Sequence, residues 1–411
     1  STPSNSSAAS DVYKRQIYIN EDDTLHEAYL LQISKMINHL VVVDDATRVK
    51  GVITTKDLMV AMEPTYSLSI LSKRISKADS LEELKKMYEQ MVRTMVSLLN
   101  YGVGFYEMAE LFSEVNDMFT RKVIRMMEKK LEAEGMGKLP RYVWIIAGSG
   151  GRREQVLRTD QDNAIIYEDS TDSEGKFFLE KLAVAVTDSL AEIGIPKCKA
   201  GYMASNEKWR KSLEEWKKYF NTWISNPEKE NLVNLVLFLD LRAIYGDEAL
   251  AEALKVHVFK KIDMNTVRAV AEVSTAVSPP IGFLGRLKYD REKGIDIKMQ
   301  GLFPIINGVK ALLLESKSTA VSTVERIDFL INRKILPEKE GEELKETYQF
   351  LSLLRLKHQL NQLVTRLEPD NRIKSGELNE LEEAILKECL KVVITFQKYI
   401  TQKYALTRTR V

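Results

Sequence analysis

A glycine-rich segment, residues 148–151, follows a short apolar run that starts at Tyr142 and precedes two arginines, Arg152 and Arg153. This order predicts a strand, a tight turn and the start of a helix. Such a turn exposes backbone N–H groups beside the positive end of a helix dipole, which favours phosphate binding at Gly148 and Ser149. It is not a P-loop, because no Lys-Ser/Thr pair follows the glycines, and it lacks the G-x-G-x-x-G spacing.

Two carboxylates follow the turn at Asp160 and Asp162, at the head of a second apolar run. Residues two apart on a strand project from the same face, so both side chains can point to one place. A pair of this kind suits two Mg²⁺ or Mn²⁺ ions, which would neutralise a triphosphate and support in-line displacement at phosphorus. An isolated D-x-D is more often a surface turn. Combined with the glycine turn, it predicts nucleotidyl transfer from a nucleoside triphosphate.

The two arginines have two interpretations. Either Arg152 or Arg153 could bind phosphate oxygens through two parallel hydrogen bonds. Alternatively, they could form surface ion pairs with Glu154 or Asp160.

The motifs GSGGRREQ at residues 148–155 and TDQDNA at residues 159–164 resemble the CBS-linked nucleotidyltransferases related to the bacterial protein-PII uridylyltransferase. These belong to the DNA polymerase β-like superfamily. The resemblance implies that Gly148 and Ser149 hold the triphosphate and that Asp160 and Asp162 bind metal. Residues 301–304 and 355–360 resemble the C-terminal substrate-binding domain of the same family.

A third metal carboxylate is usual in that superfamily, on a strand after the intervening helix. Here residues 195–205 contain neither Asp nor Glu. Asp240, at the end of an apolar run, is the hypothesised substitute. It could equally be a helical residue paired with Arg242.

The N-terminal segment has different chemistry. Residues 41–44 (VVVD) and 51–57 (GVITTKD) resemble one CBS motif, which normally works in pairs, within one chain or in a homodimer. In members that bind adenine nucleotides, the hydroxyl position contacts phosphate and the aspartate holds ribose, which implies Thr54 and Asp57 here. The structural alternative is that Thr54 caps a helix whose positive end Asp57 favours.

The periodicity of the chain predicts a multidomain α/β plus all-α protein. Residues 1–16 are expected to be a non-native or disordered segment. An α/β CBS unit at 17–64, a helical connector at 65–140, an α/β nucleotidyltransferase core at 141–278 and a helical bundle at 279–411 follow.

The overall composition of the chain limits the classes of partner that are expected. Sixty basic residues nearly cancel 59 acidic ones, so no global charge favours nucleic acid or an anionic membrane. The apolar runs are too short for a membrane helix. Two distant cysteines, Cys198 and Cys389, do not suggest a disulfide framework, and a cytoplasmic location is expected.

The sequence therefore predicts transfer of a nucleoside monophosphate to an unknown protein or small-molecule acceptor, regulated by the CBS unit. The alternative is a non-catalytic nucleotide-binding signalling protein, whose core has lost its chemistry with the third carboxylate.

Overall fold

The computed structural model describes residues 17–35, 37–55, 57–58, 68–100, 103–156, 160–282, 285–290, 293–365 and 367–406. The predicted non-native segment, residues 1–16, lies outside them. The chain divides into two compact units, one of residues 1–78 with 100–103 and one of residues 79–99 with 104–411.

The first unit is a small α/β layer. Its elements are β1 (Tyr18–Asn20), α1 (Leu25–Lys35), β2 (His39–Val43), β3 (Val49–Thr54) and α2 (Leu68–Lys77). Strand β2 lies between β1, to which it is parallel, and β3, to which it is antiparallel. Ile19, Ala28, Leu40 and Leu58 form a core between the sheet and the helices. This is the α/β unit that the sequence predicts there.

Two long helices begin the second unit, α3 (Leu81–Asn100) and α4 (Phe105–Ala133). Leu84, Met91 and Met95 are buried on α3, as the three- and four-residue apolar spacing predicts. Helix α4 is buried along much of its length and also carries two buried acids, Asp117 and Glu128. These acids become important because both bond to the sheet that follows.

A four-stranded sheet with helices forms the centre of this unit. In chain order its elements are β4 (Tyr142–Ile146), α5 (Gly148–Gly151), β5 (Asn163–Tyr167), α6 (Ser173–Ile193), β6 (Arg210–Ser212), α7 (Leu213–Ser225), α8 (Lys229–Phe238), β7 (Arg242–Gly246) and α9 (Glu248–Lys261). The strand order is β6-β5-β4-β7, with β4 antiparallel to both neighbours and β5 parallel to β6. The fully buried strands β4 and β5 therefore deliver the glycine turn and the aspartates to one edge of the sheet.

Local signals explain where the helices of this centre begin. The Asp172 side chain accepts a hydrogen bond from the Gly175 N–H at the start of α6. Ser212 and Glu215 form a reciprocal capping box at the start of α7. Helix α6 ends at Gly194, whose φ of 116° is a left-handed conformation that suits glycine.

The remaining elements are almost all helical. They are α10 (Met264–Thr275), β8 (Ile295–Asp296), a π-helix (Lys298–Leu302), α11 (Phe303–Glu315), α12 (Thr323–Asn332), α13 (Glu338–Val364), β9 (Arg372–Ile373) and α14 (Glu380–Lys403). Helix α11 is apolar nearly all round and buried, so it forms the centre of the bundle. Helix α10 packs against α11 and α14, although it precedes the predicted boundary at residue 279.

These elements confirm the predicted fold class, a multidomain α/β protein with a helical C-terminal part. In the described part of the chain, no helix is both long and apolar enough to span a bilayer.

Candidate functional site

The glycine turn is tightly enclosed by its neighbours. Ala147 is extended and its N–H donates to the Asp162 carbonyl, while Gly148 has a φ of 56°. A Cβ on Gly148 would lie 3.0 Å from Leu237 Cδ1 and 3.2 Å from Asp162 Oδ2. Only glycine fits this conformation without strain, and the turn backbone therefore lies directly beside the Asp162 carboxylate.

The helix that follows is a single turn, shorter than the sequence suggests. It ends at Gly151, and Arg153 already has a left-handed φ of 58°. The first N–H groups of such a turn have no partner within the helix. Ser149 is half-buried, and within the described residues no hydrogen bond occupies its hydroxyl. The turn thus offers backbone N–H groups and one hydroxyl, but little helix dipole.

The two aspartates alternate with a buried glutamine. Gln161 donates from Nε2 to the carbonyls of Thr187 and Ile195, both at 3.0 Å. Asp160 is exposed and Asp162 is half-buried, on the opposite side of the extended segment. Asp162 lies beside the glycine turn, and the Asp160 charge acts on it. A joint role of the two aspartates in catalysis stays a prediction.

The electrostatics of Asp162 are those of a partly desolvated carboxylate. Burial raises its pKa to about 6, and the neighbouring Asp160 adds to the shift. A hydrogen bond from Cys198 and the charges of Lys298 and Arg152 oppose it. Desolvation and a like charge together mean that this site gains from a bound cation.

Cys198 is a neighbour that the sequence does not reveal. A parallel bridge between Gln161 and Lys197 puts the next residue on each segment, Asp162 and Cys198, side by side. Burial raises the pKa of the Cys198 thiol, so it remains protonated and can donate to Asp162. Cys198 thus lies in residues 195–205, the segment that contains neither Asp nor Glu.

The hypothesis that Asp240 is a third metal ligand is not supported. Its Oδ2 lies 2.6 Å from Arg152 Nη1 and 2.7 Å from Lys310 Nζ, and Arg326 Nη2 lies 2.9 Å from its Oδ1. Burial alone would raise the pKa of Asp240, but these cations outweigh it and hold the pKa far below its ordinary value. Because three cations already neutralise this carboxylate, it is not available as a metal ligand. Asp240 also does not pair with Arg242, the alternative that the sequence suggested, because Arg242 is bonded to Asp117.

Arg152 belongs to the same buried network. Its Nε donates to Glu154 Oε2 at 2.7 Å, and the other oxygen of Glu154 accepts from the Thr323 N–H at 2.6 Å. The predicted alternative of an ion pair with Glu154 is therefore present, but it is buried. Arg153 is more exposed and lies 3.3 Å from Glu114 of α4. Phosphate binding by either arginine stays a prediction.

Helix α4 holds the glycine turn through Arg242. The Arg242 guanidinium donates to both oxygens of Asp117, at 2.6 and 3.1 Å, and to the Gly150 carbonyl at 3.1 Å. Glu128 of the same helix accepts from the hydroxyls of Tyr142 and Tyr245, at 2.6 and 2.5 Å. The connector helix is thus bonded both to the sheet and to the turn.

The residues present fit a divalent cation bound together with a phosphate ligand. Mg²⁺ is commonly held by one or two carboxylates and substrate phosphates, and Asp160 and Asp162 provide two. Among the described residues, no group of three or more His, Cys, Asp or Glu side chains is arranged to hold a metal ion. Metal binding by Asp160 and Asp162 stays a prediction.

In the N-terminal unit, Thr54 and Asp57 bond to each other. Asp57 Oδ2 accepts from the Thr54 N–H at 2.9 Å and from its hydroxyl at 2.7 Å, and the Asp57 N–H donates back to Thr54 Oγ1 at 3.2 Å. This is the reciprocal pattern of a helix cap. Nucleotide binding by the pair stays a prediction.

Comparison with protein families assigns most of the chain. Residues 9–64 match "CBS domain", residues 89–230 match "Putative nucleotidyltransferase DUF294" and residues 265–404 match "Putative nucleotidyltransferase substrate binding domain". The turn and both aspartates lie inside the second match, while Asp240 and Arg242 lie in the interval before the third. The comparison with curated proteins gave no match.

Proposed function

Because the chain belongs to the nucleotidyltransferase family in which a CBS domain precedes the catalytic and substrate-binding domains, we propose that it transfers a nucleoside monophosphate from a nucleoside triphosphate to an acceptor hydroxyl. The observation that supports this most is the juxtaposition of a glycine turn with two aspartates. A Cβ on Gly148 would come within 3.2 Å of the Asp162 carboxylate. Phosphates bound by the turn would therefore lie next to the carboxylates.

In this proposal each group of the site has a separate role. The N–H groups of the turn and the Ser149 hydroxyl bind and orient the phosphate chain. Asp160 and Asp162 hold Mg²⁺ or Mn²⁺, and a pair of such ions would neutralise the triphosphate and the leaving pyrophosphate. The acceptor oxygen forms a bond to the α-phosphorus as the bond to the bridging oxygen breaks. Pyrophosphate leaves, and the hydroxyl proton passes to water.

The proposal is tested by the consumption of each of the four ribonucleoside triphosphates by purified protein with Mg²⁺, alone and with cell extract as a source of acceptor. Asp160→Asn and Asp162→Asn should each abolish consumption. Asp188→Asn, which removes an exposed carboxylate from α6, should not. Retention of near wild-type turnover by either active-site variant would refute the proposal.

A second candidate is nucleotide binding without transfer. It is favoured by the engagement of Asp240 with three cations and by the Cys198 thiol beside Asp162, which leave the aspartate pair without a third acidic partner in the described residues. Under this reading, triphosphates bind with Mg²⁺ but remain intact, even when extract is present. Calorimetric binding without pyrophosphate release would identify it.

The CBS domain carries a regulatory proposal. An adenine nucleotide bound through Thr54 and Asp57 would alter transfer several-fold, in line with typical coupling free energies of about 1 to 3 kcal/mol. Because CBS motifs work in pairs, pairing of two chains through this domain is part of the proposal. Turnover measured with and without AMP, and sedimentation of the protein in each state, test both parts.

A further inference from the structure

Helix α13 is bonded to the segment that follows the glycine turn. The Tyr348 hydroxyl of α13 hydrogen-bonds to Glu154, which also receives Arg152 and the Thr323 N–H. Arg355 lies seven residues after Tyr348, which is two helical turns along the same face. Arg355 therefore lies on the face of α13 that is bonded to the core.

A second cation, Lys298, is linked to Arg355 through the pairing of two short strands that are distant in sequence. Strands β8 and β9 pair so that the Ile297 N–H donates to the Asn371 carbonyl. The side-chain oxygen of Asn371 accepts from Arg355 Nε at 2.6 Å. Lys298, next to Ile297, begins the π-helix, and a Cβ on Gly301 of that helix would lie 3.0 Å from Leu351 of α13. A π-helix of this kind is frequent at functional sites.

These two cations differ from the three buried cations that surround Asp240. Arg152, Lys310 and Arg326 are each within 3 Å of the Asp240 carboxylate. Within the described residues, by contrast, neither Lys298 nor Arg355 makes an ion pair with a carboxylate. Two neighbouring positive charges without such a partner repel each other, and a bound anion would offset that repulsion.

The pKa shifts of Lys298 and Arg355 are those expected of neighbouring cations. Partial desolvation lowers the pKa of Lys298, and the Arg355 charge lowers it further, while Asp162 and Asp160 raise it. Burial also lowers the pKa of Arg355, as does the Arg152 charge, against Tyr348 and Asp296. The two cations therefore repel one another, and Lys298 interacts electrostatically with the aspartate pair.

We propose that Lys298 and Arg355 bind the β- and γ-phosphates of the nucleoside triphosphate, so that the C-terminal helices complete the phosphate site opposite the aspartates. This inference rests on the proposed function for the identity of the nucleotide, but not for the presence of an anion site. The guanidinium fork can hold two phosphate oxygens, and the flexible lysine can follow the terminal phosphate. Binding would then require both domains.

The probe is inorganic tripolyphosphate, titrated calorimetrically into the full chain with EDTA present, so that the result does not depend on metal binding. Wild-type protein should bind it. Lys298→Gln and Arg355→Lys should each weaken binding roughly ten- to hundredfold, the range expected for a lost charge-assisted contact. The matched control is Lys374→Gln, an exposed lysine after β9, which should bind as wild type does.

Because the Lys298 side chain is exposed, its substitution should leave the thermal transition unchanged. The test therefore stays valid even if Arg355→Lys disturbs the pairing of β8 with β9. No binding by the wild type, or equal binding by Lys298→Gln, would overturn the inference. Loss of binding in Lys298→Gln without any triphosphate consumption by the wild type would keep the anion site and reject the transfer reaction.

Discussion

Replacing Asp162 by asparagine removes a charge that folding partly buries, while keeping an oxygen that can accept from Cys198. Burial raises the pKa of Asp162 from its usual 3.8 to about 6. The folded state therefore binds more protons than the unfolded chain between these values, and ionisation of Asp162 lowers the stability as the pH rises through that range. In the absence of metal, Asp162→Asn should thus be more stable than the wild type.

The magnitude follows from the shift. About two pKa units at 1.36 kcal/mol each give an upper limit of about 3 kcal/mol at pH 7.5. Because Asp162 is only half-buried, we expect about 1 to 3 kcal/mol. The advantage of the variant should fall to roughly half at pH 5 and become small only below about pH 4, as the wild-type carboxyl becomes protonated in the unfolded state as well as in the folded state.

The measurement is urea denaturation with EDTA, followed by tryptophan fluorescence, at pH 7.5 and pH 5. Trp144 and Trp216 are fully buried and report on the core that contains the site. Asp188→Asn is the control, since its carboxylate is exposed on α6 and should show no such pH-dependent gain. A variant that is no more stable at pH 7.5, or whose advantage is the same at both pH values, would show that Asp162 is not destabilised by burial.

Four other substitutions have definite expected results. Gly151→Ala should prevent normal folding, because its Cβ would lie 1.7 Å from the Asp240 carbonyl oxygen; a wild-type thermal transition would contradict this. Asp240→Asn should cost about 3 to 5 kcal/mol in chemical denaturation, since it leaves buried cations uncompensated, and a loss below about 1 kcal/mol would argue against that. Arg242→Lys should weaken nucleotide binding several-fold in calorimetry by releasing the Gly150 carbonyl, and unchanged affinity would exclude this positioning role. Asp57→Ala should abolish AMP binding by the CBS unit, and calorimetry showing wild-type affinity would leave Asp57 as a helix cap.

The sequence predicts the centre of the site because that part is local. A buried strand, a glycine turn and aspartates at alternate positions are close together along the chain, and strand geometry alone puts both aspartates on one face. The structure brings Gly148 and Asp162 together as that pattern requires. The length of the turn helix was less predictable, since its end depends on Arg153 adopting a left-handed conformation.

The long-range contacts of the site residues could not be predicted from residue spacing. Asp240 meets a lysine 70 residues later, and Arg242 meets an aspartate 125 residues earlier. Cys198 reaches Asp162 only because two extended segments pair in parallel after a 21-residue helix. Such encounters are fixed by the tertiary packing of helices on the sheet, and no short motif marks them. An acid at the end of an apolar run, such as Asp240, is compatible with both a metal site and a buried ion pair.

The buried pairing of Asp240 with Lys310 and Arg326 bears on how this family can recombine. The acid belongs to the sheet domain, whereas both bases belong to the C-terminal helices. A chimera that joins the catalytic half of one relative to the bundle of another inherits only one side of this charge balance. Folded chimeras should therefore be limited to pairs of relatives that have the same residues at positions 240, 310 and 326. The exact point at which the two sequences are joined should matter less than this match.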